Sequence, residues 1–405
     1  QKIGFTDPST ISIYKTAYQK RLVRNNLSEQ TDFLNLSRPK LELLNRNEIQ
    51  SIINTNTVNL NLSFNTSVKQ IQIHINGVPV LDKKDIAGNS ISEAVQLNNG
   101  KNQITIVGID SKGIESDPIT LDMKNVSPKP QSKVYYVGIG VSKYQDSEMN
   151  LKFADKDVKS LASLFTNQFE NKVQIDTLLN ENATKEKIIA LKAILKESSI
   201  DDTVIISFSG HGLIDEKSNF YFATHDIDFN NPSENGISYN AIQNLLSDIP
   251  ARKKLLLLDA CHSGEIDNET DLIITDVLDK NVKQYIPEGA KGSSARSTRK
   301  KGLNNSFELM QSLFYDLDRG NGSYVISAAG GQEFAYENEK WQNGVFTYSV
   351  INAINDLSYD TWNGENRVRI SKLKKQVYES VKKLTNNKQK PTSRAENIEW
   401  DWMLE

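Results

Sequence analysis

KKLLLLDACHSG (residues 253–264) runs four consecutive leucines into Cys261, the one cysteine of a 405-residue chain. A short apolar run closed by a turn residue, here Gly264, reads as a strand of a buried core. What stands at its end has two readings. Cys261 is a small buried apolar residue, or it is a nucleophile displayed at the strand's edge. The surroundings favour the second. TVIISFSGHG (203–212) has the same texture and ends on His211 between two glycines. VYYVGIGV (134–141), VQIDTLL (173–179) and GSYVISAA (322–329) are further strand candidates. Between them lie helical patterns: 151–169, TKEKIIALKAILKES (184–198), SYNAIQNLLSDI (238–249), GVFTYSVINAIND (344–356) and 369–384. Strands alternating with helices predict an α/β unit, a mainly parallel sheet sandwiched by helices. In such sheets ligands bind beyond the carboxyl ends of the strands. His211 and Cys261 both fall at that edge. If their strands are neighbours, imidazole and thiol can approach.

Upstream the texture differs. From about residue 40 short runs alternate apolar and polar residues, as in NTVNLNLSFN and VKQIQIHINGVPV. Asn-Gly at 76–77 and NNGKN at 98–102 punctuate them, which predicts a small all-β, Ig-like sandwich. The expected organisation is an N-terminal linker segment (1–39), the sandwich (40–126), a Pro/Ser/Lys linker (127–133) and the α/β domain (134–405). Residues 11–26 carry a weak amphipathic helix pattern.

Composition sets outer bounds. Apolar residues make up 38%, charged residues 24%, and the formal net charge is −3, the profile of a soluble globular chain. No overall basic field suits nucleic acid or an anionic membrane. No apolar run is long enough to span a bilayer. One cysteine excludes an intrachain disulfide and a thiolate zinc cluster. A soluble, cytoplasmic protein is the expectation. Secretion stays open, because the chain starts at Gln1 and any preceding signal would not be visible.

A thiol nucleophile needs a base to make it thiolate, and a cut peptide needs a proton returned to its leaving amine; His211 serves both. A backbone N–H beside His211, where Gly210 and Gly212 flank it, is with the N–H of Cys261 a candidate for an oxyanion hole. His262 is a rival base, but adjacent side chains of a strand point to opposite faces, which aims it poorly. His225 is a weaker rival, and His74 reads as a surface residue of the sandwich. The bland reading of His211 is a turn residue. With no third side chain evident, a Cys–His dyad is expected.

SGHG followed by DACHSG resembles the caspase and metacaspase superfamily of cysteine endopeptidases, and bacterial metacaspase-like proteins most closely. Caspases carry their histidine about 50 residues before the cysteine, and His211 stands 50 before Cys261. The resemblance covers about 133–400 and includes YYVGIGVSKYQD, LKFADKDVKSL, VISAAGGQEFAYE, GVFTYSVINAI and KPTSR. It implies His211 as general base and acid, Cys261 as nucleophile and Gly212 as an oxyanion donor. Sandwich modules often precede the peptidase domain in this family. Caspases have glutamine two places before the cysteine; this chain has Asp259. A carboxylate there suits a cationic P1 side chain and repels an acidic one. The resemblance adds Ser209 and Asp157 to the pocket, with Asp155 as a rival for Asp157. The expected cut is after Arg or Lys. The bland readings are a cap or turn role for Asp259 and a solvated helix face for Asp157.

The stretch 282–306 is rich in Ser, Gly, Lys and Arg and reads as a flexible basic loop. It offers Lys291, Arg296, Arg299, Lys300 and Lys301 for self-cleavage, with an anion-binding loop as the alternative. No cofactor is required for this chemistry. Calcium activation, common among metacaspases, stays open: the acidic stretch 225–235 fits no EF-hand loop. Expected partners are protein or peptide substrates with basic P1, with no nucleic acid and no membrane. The metacaspase resemblance implies a monomer. The sandwich is a candidate for binding a partner, gating the site or spacing. A catalytically silent caspase-like interaction module is the alternative to the enzyme.

Overall fold

The computed structural model describes residues 38–215, 219–262, 290–291, 321–328, 335–358, 368–395 and 400–404, with isolated positions 15, 18, 19 and 22. The helix pattern at 11–26 thus lies almost wholly outside the described residues.

The first unit is built from β1 (Leu41–Leu43), β2 (Ile52–Ile53), β3 (Thr57–Phe64), β4 (Val68–Ile75), β5 (Val78–Lys84), β6 (Ser90–Gln96), β7 (Gly100–Asp110) and β8 (Ile119–Asn125). They form two sheets, in the orders β1-β3-β6 and β2-β8-β7-β4-β5. Alternation explains the layering: β3 buries Val58, Leu60, Leu62 and Phe64 while its intervening residues face outward. These side chains join Ile71, Ile73, Ile104, Ile106 and Met123 of the other sheet in one core. Asn76 and Gly77 join β4 to β5 with φ of 56° and 81°, the two positive values that a tight hairpin turn demands.

His74 corrects a sequence expectation. It is buried, not on the surface. Strand β4 is an inner strand, paired on both sides, and its register against β5 shifts between Ile73 and His74. The alternation itself persists, with Ile71, Ile73 and Ile75 all in the core between the sheets, so His74 lies on the opposite face of β4 and is covered there.

The second unit is centred on one sheet in the order β10-β9-β11-β14-β16-β20. Its strands are β9 (Val134–Gly140), β10 (Val173–Leu179), β11 (Thr203–Ile214), β14 (Lys253–His262), β16 (Tyr324–Ser327) and β20 (Thr392–Ala395). All pairings are parallel except β16 with β20. Short β12 (Phe220–Phe222) and β13 (Ile237–Ser238) extend β11 antiparallel. Beside the main sheet lie β15 (Ala290–Lys291), β17 (Ala335–Asn338) and β18 (Asn343–Gly344), and a pair β19 (Val368–Arg369) and β21 (Met403–Leu404).

Helices cover both faces. On one lie α1 (Ala154–Phe169), α4 (Val345–Ser358) and α5 (Ile370–Leu384), whose Leu161, Phe165, Val350, Ile354, Leu373 and Val377 pack on Tyr136, Ile205, Leu255 and Leu257. On the other lie α2 (Lys185–Ala190) and α3 (Tyr239–Leu246), on Val137, Val204, Ile206, Leu256 and Leu258. The leucine run thus divides between two cores. Thr184 caps α2 by accepting from Lys187 N, and Ser238 caps α3 by accepting from Ala241 N. Gly140 lets α1 lie close on β9: a Cβ there would stand 2.8 Å from the Ala154 carbonyl oxygen.

The two units meet at the amino ends of β11 and β14. Asn98, between β6 and β7, donates to the Ile200 carbonyl at 2.9 Å and to Asp201 Oδ1 at 3.0 Å. Arg252, just before β14, donates to Asn98 Oδ1 at 2.9 Å and to the Gln96 carbonyl at 2.7 Å. Burial draws the Arg252 pKa down to about 10, against the opposing pull of Asp201. The contact lies at the sheet edge opposite His211. Arg252→Ala would strip donors from the buried Asn98 side chain and from the Gln96 carbonyl, and a neighbouring cation from Asp201. It is expected to cost about 3 kcal/mol, read by urea denaturation. A loss under about 1 kcal/mol would show that the network does not brace the two units.

Candidate active site

Strands β11 and β14 are neighbours, and their register sets His211 directly beside Cys261. The same register pairs Ser209 with Asp259 and Gly212 with His262. The two strand ends that looked suggestive in isolation are therefore one place.

His211 is buried. Its Nε2 lies 2.8 Å from the Met149 carbonyl oxygen. A carbonyl can only accept, so Nε2 carries the proton, and Nδ1 of the neutral ring holds the basic lone pair. Met149 ends a short 3₁₀ turn, Ser147–Met149, in the connection from β9 to α1. That connection also supplies Tyr144, whose ring centroid is 5.1 Å from the imidazole and whose hydroxyl accepts the His211 backbone N–H at 3.0 Å. Phe229 meets the imidazole edge-on at 5.7 Å. Gly210 leaves little room for a side chain: a Cβ there would stand 3.0 Å from that hydroxyl and 3.1 Å from the Phe208 ring.

The carboxylates lie behind, Asp259 two residues before Cys261 on β14 and Asp157 on α1 beside Ser209. Asp157, on α1, is fully buried. Its Oδ2 accepts from Ser209 Oγ at 2.7 Å, and its Oδ1 from Gly344 N at 2.8 Å and Asn343 Nδ2 at 3.0 Å. Asp259 is 2% exposed, and its Oδ2 accepts from Thr347 Oγ1 at 2.7 Å and Thr347 N at 3.2 Å. Gly344 and Thr347 belong to the amino end of α4. Both carboxylates therefore face the amino end of α4. Asp155, the rival, lies elsewhere. It is half-buried, bonded to Ser142 Oγ and to Lys159 Nζ. Burial would raise its pKa, but these hydrogen bonds and the lysine's charge outweigh that and hold it low.

Of the residues singled out in the sequence, His211, Cys261, Ser209, Asp259 and Asp157 thus converge on neighbouring positions. Gly212 lies in β11 between Phe222 of β12 and His262 of β14. His225 stands apart, its Nδ1 2.6 Å from the Lys143 carbonyl oxygen. Within the basic stretch 282–306, Ala290 and Lys291 form strand β15, paired with Tyr336 and Ala335 of β17. Arg296, Arg299, Lys300 and Lys301 lie outside the described residues. Among the described residues, no group of three or more His, Cys, Asp or Glu side chains is placed to hold a metal ion, and no helix is long and apolar enough to cross a membrane.

Residues 137–399 match the family model described as the caspase domain. Among solved structures, the chain is similar to that of a Geobacter sulfurreducens protein, with 14% identity over 65% of this chain and 92% of that one, and a TM-score of 0.43. It is also similar to caspase-1 from Spodoptera frugiperda, with 11% identity over 65% of this chain and 88% of that one, and a TM-score of 0.37. No curated protein matches the chain.

Proposed function

The chain belongs to the caspase-domain family of cysteine peptidases, and on that premise we propose that it is an endopeptidase cutting after arginine or lysine through Cys261 and His211. The observation that carries this reading is the register step that pairs His211 with Cys261, with Nε2 of the imidazole tied to Met149. In the proposed reaction Nδ1 of His211 takes the Cys261 proton. The thiolate adds to the scissile carbonyl carbon. The resulting oxyanion is held by the N–H groups of Gly212 and Cys261. Collapse expels the amine, which receives the proton from His211, and leaves a thioester on Cys261. Water, deprotonated by His211, then releases the acid and restores the thiol.

The basic P1 preference is supported by Asp157, Ser209 and Asp259. A helix N-terminus supplies about half a positive charge, which offsets only part of two carboxylates. A guanidinium or ammonium entering beside them is attracted, and an acidic side chain is repelled.

Fluorogenic peptides with Arg, Lys or Asp at P1 test the proposal. Arg and Lys peptides are expected to turn over at least about 100-fold faster than Asp peptides, a discrimination a charged pocket readily provides. The intact mass of the same preparation reports cleavage within 282–306. No turnover of any peptide, with or without calcium, would favour the silent interaction module.

A further inference from the structure

We propose that Tyr144 is the positioning residue of the catalytic histidine. The inference rests on the proposed role of His211. Three contacts converge on that one residue from a single short connection. The Tyr144 ring covers the imidazole at 5.1 Å with the planes inclined by 35°. The Tyr144 hydroxyl takes the His211 main-chain N–H. Met149, five residues on, takes the ring N–H. Phe229 closes the arrangement, 5.5 Å from Tyr144 and 5.7 Å from His211.

The connection itself is held firmly. Ser142 N and Lys143 N both donate to Asn180 Oδ1, at 2.9 and 3.0 Å. Tyr144 N donates to Asn150 Oδ1 at 2.8 Å, and Gln145 N to the His225 carbonyl at 3.0 Å. Asn180 adopts a φ of 50°, a conformation costly for a side-chain-bearing residue but tolerated by asparagine. Tyr144 is thus an anchored plate rather than a packing residue that could be exchanged for any other apolar one. An imidazole can rotate about its side-chain bonds and can exchange tautomers. The carbonyl of Met149 selects the tautomer only while the ring stays in place, and the plate keeps it there. Displacement of a reacting group by about 1 Å can cost on the order of 100-fold in rate.

The test compares Tyr144→Phe, Tyr144→Ala and Phe229→Leu with the wild type by two readouts. The first is kcat and KM on an arginyl peptide. The second is the imidazole ¹⁵N spectrum of histidine-labelled protein, which reports tautomers without needing turnover; the chain has four histidines. Tyr144→Ala is expected to lower kcat about 30-fold with KM within about twofold, and to mix the His211 tautomers. Tyr144→Phe, which keeps the plate, is expected to keep the Nε2–H tautomer and lose about threefold in kcat. Should Tyr144→Ala not fold, Phe229→Leu is expected to give the same two changes at smaller size. Folded variants with an unchanged ¹⁵N spectrum and kcat within about twofold would overturn the proposal. A wild type without peptidase activity would remove the proposed function instead, and the ¹⁵N spectra would still decide whether Tyr144 orients His211.

Discussion

Cys261→Ala is expected to lower kcat/KM on an arginyl peptide by on the order of 10⁴-fold or more, and His211→Ala by a similar factor. The double substitution should be no worse than either single one within about threefold, because the two groups act as one unit in one proton transfer. The pairing of these residues across one register step makes non-additivity the sharper test. Two residues contributing separately to binding would multiply their losses. Loss of a shared covalent route leaves a common residual rate, set by binding and by oxyanion donors on the main chain. His262→Ala is the internal control. It adjoins Cys261 but is paired with Gly212, and it should change kcat by less than about threefold. Residual turnover within tenfold of wild type in Cys261→Ala would sink the nucleophile assignment. A dead His262→Ala with a working His211→Ala would exchange the base.

The strand ends were legible in the sequence because a parallel sheet puts its chemistry at one edge, and two apolar runs stopped there on histidine and cysteine. Their adjacency was not legible. A chain with β9 or β16 between these two runs would read identically, and only the sheet order joins them. The partner of the imidazole was hidden for a different reason. It is a main-chain carbonyl, which every residue has, so nothing in the letter Met149 announces it. Tyr144 left a trace in Gly210, but a glycine before a histidine reads as a turn until the hydroxyl above it is seen. Asn98 and Arg252 were invisible because their contact joins positions 154 residues apart. The turn at Asn76 and Gly77 was readable because its demand is local, and the burial of His74 was unreadable because the alternation of β4 puts it on the face away from the sandwich core. Asp259 is the instructive case. Both of its readings, cap and specificity residue, have support at once, since Thr347 holds it at the amino end of α4 and the register places it behind Cys261.

Asparagine substitutions separate those two roles. Asp259→Asn keeps an oxygen able to accept from Thr347 N and Oγ1 while removing the charge. Asp157→Asn likewise keeps an acceptor for Gly344 N and Asn343, and Ser209 can turn its hydroxyl to accept from the new amide. If the carboxylates recognise a P1 cation, each Asn variant should lose about 3 kcal/mol of transition-state binding, on the order of 100-fold in kcat/KM, on Arg and Lys peptides. The loss of stability should stay near 1 kcal/mol, because the hydrogen bonds persist. The alanine variants should lose the same activity and also about 2–3 kcal/mol of stability, since buried donors at the start of α4 are then left unsatisfied. A purely structural pair behaves oppositely. Asn variants would then cut Arg peptides within about threefold of wild type, and only the alanine variants would suffer, through unfolding. Because charge and hydrogen-bonding shape are changed independently, a fall in activity of about 100-fold with no more than about 1 kcal/mol of stability lost points to the charge.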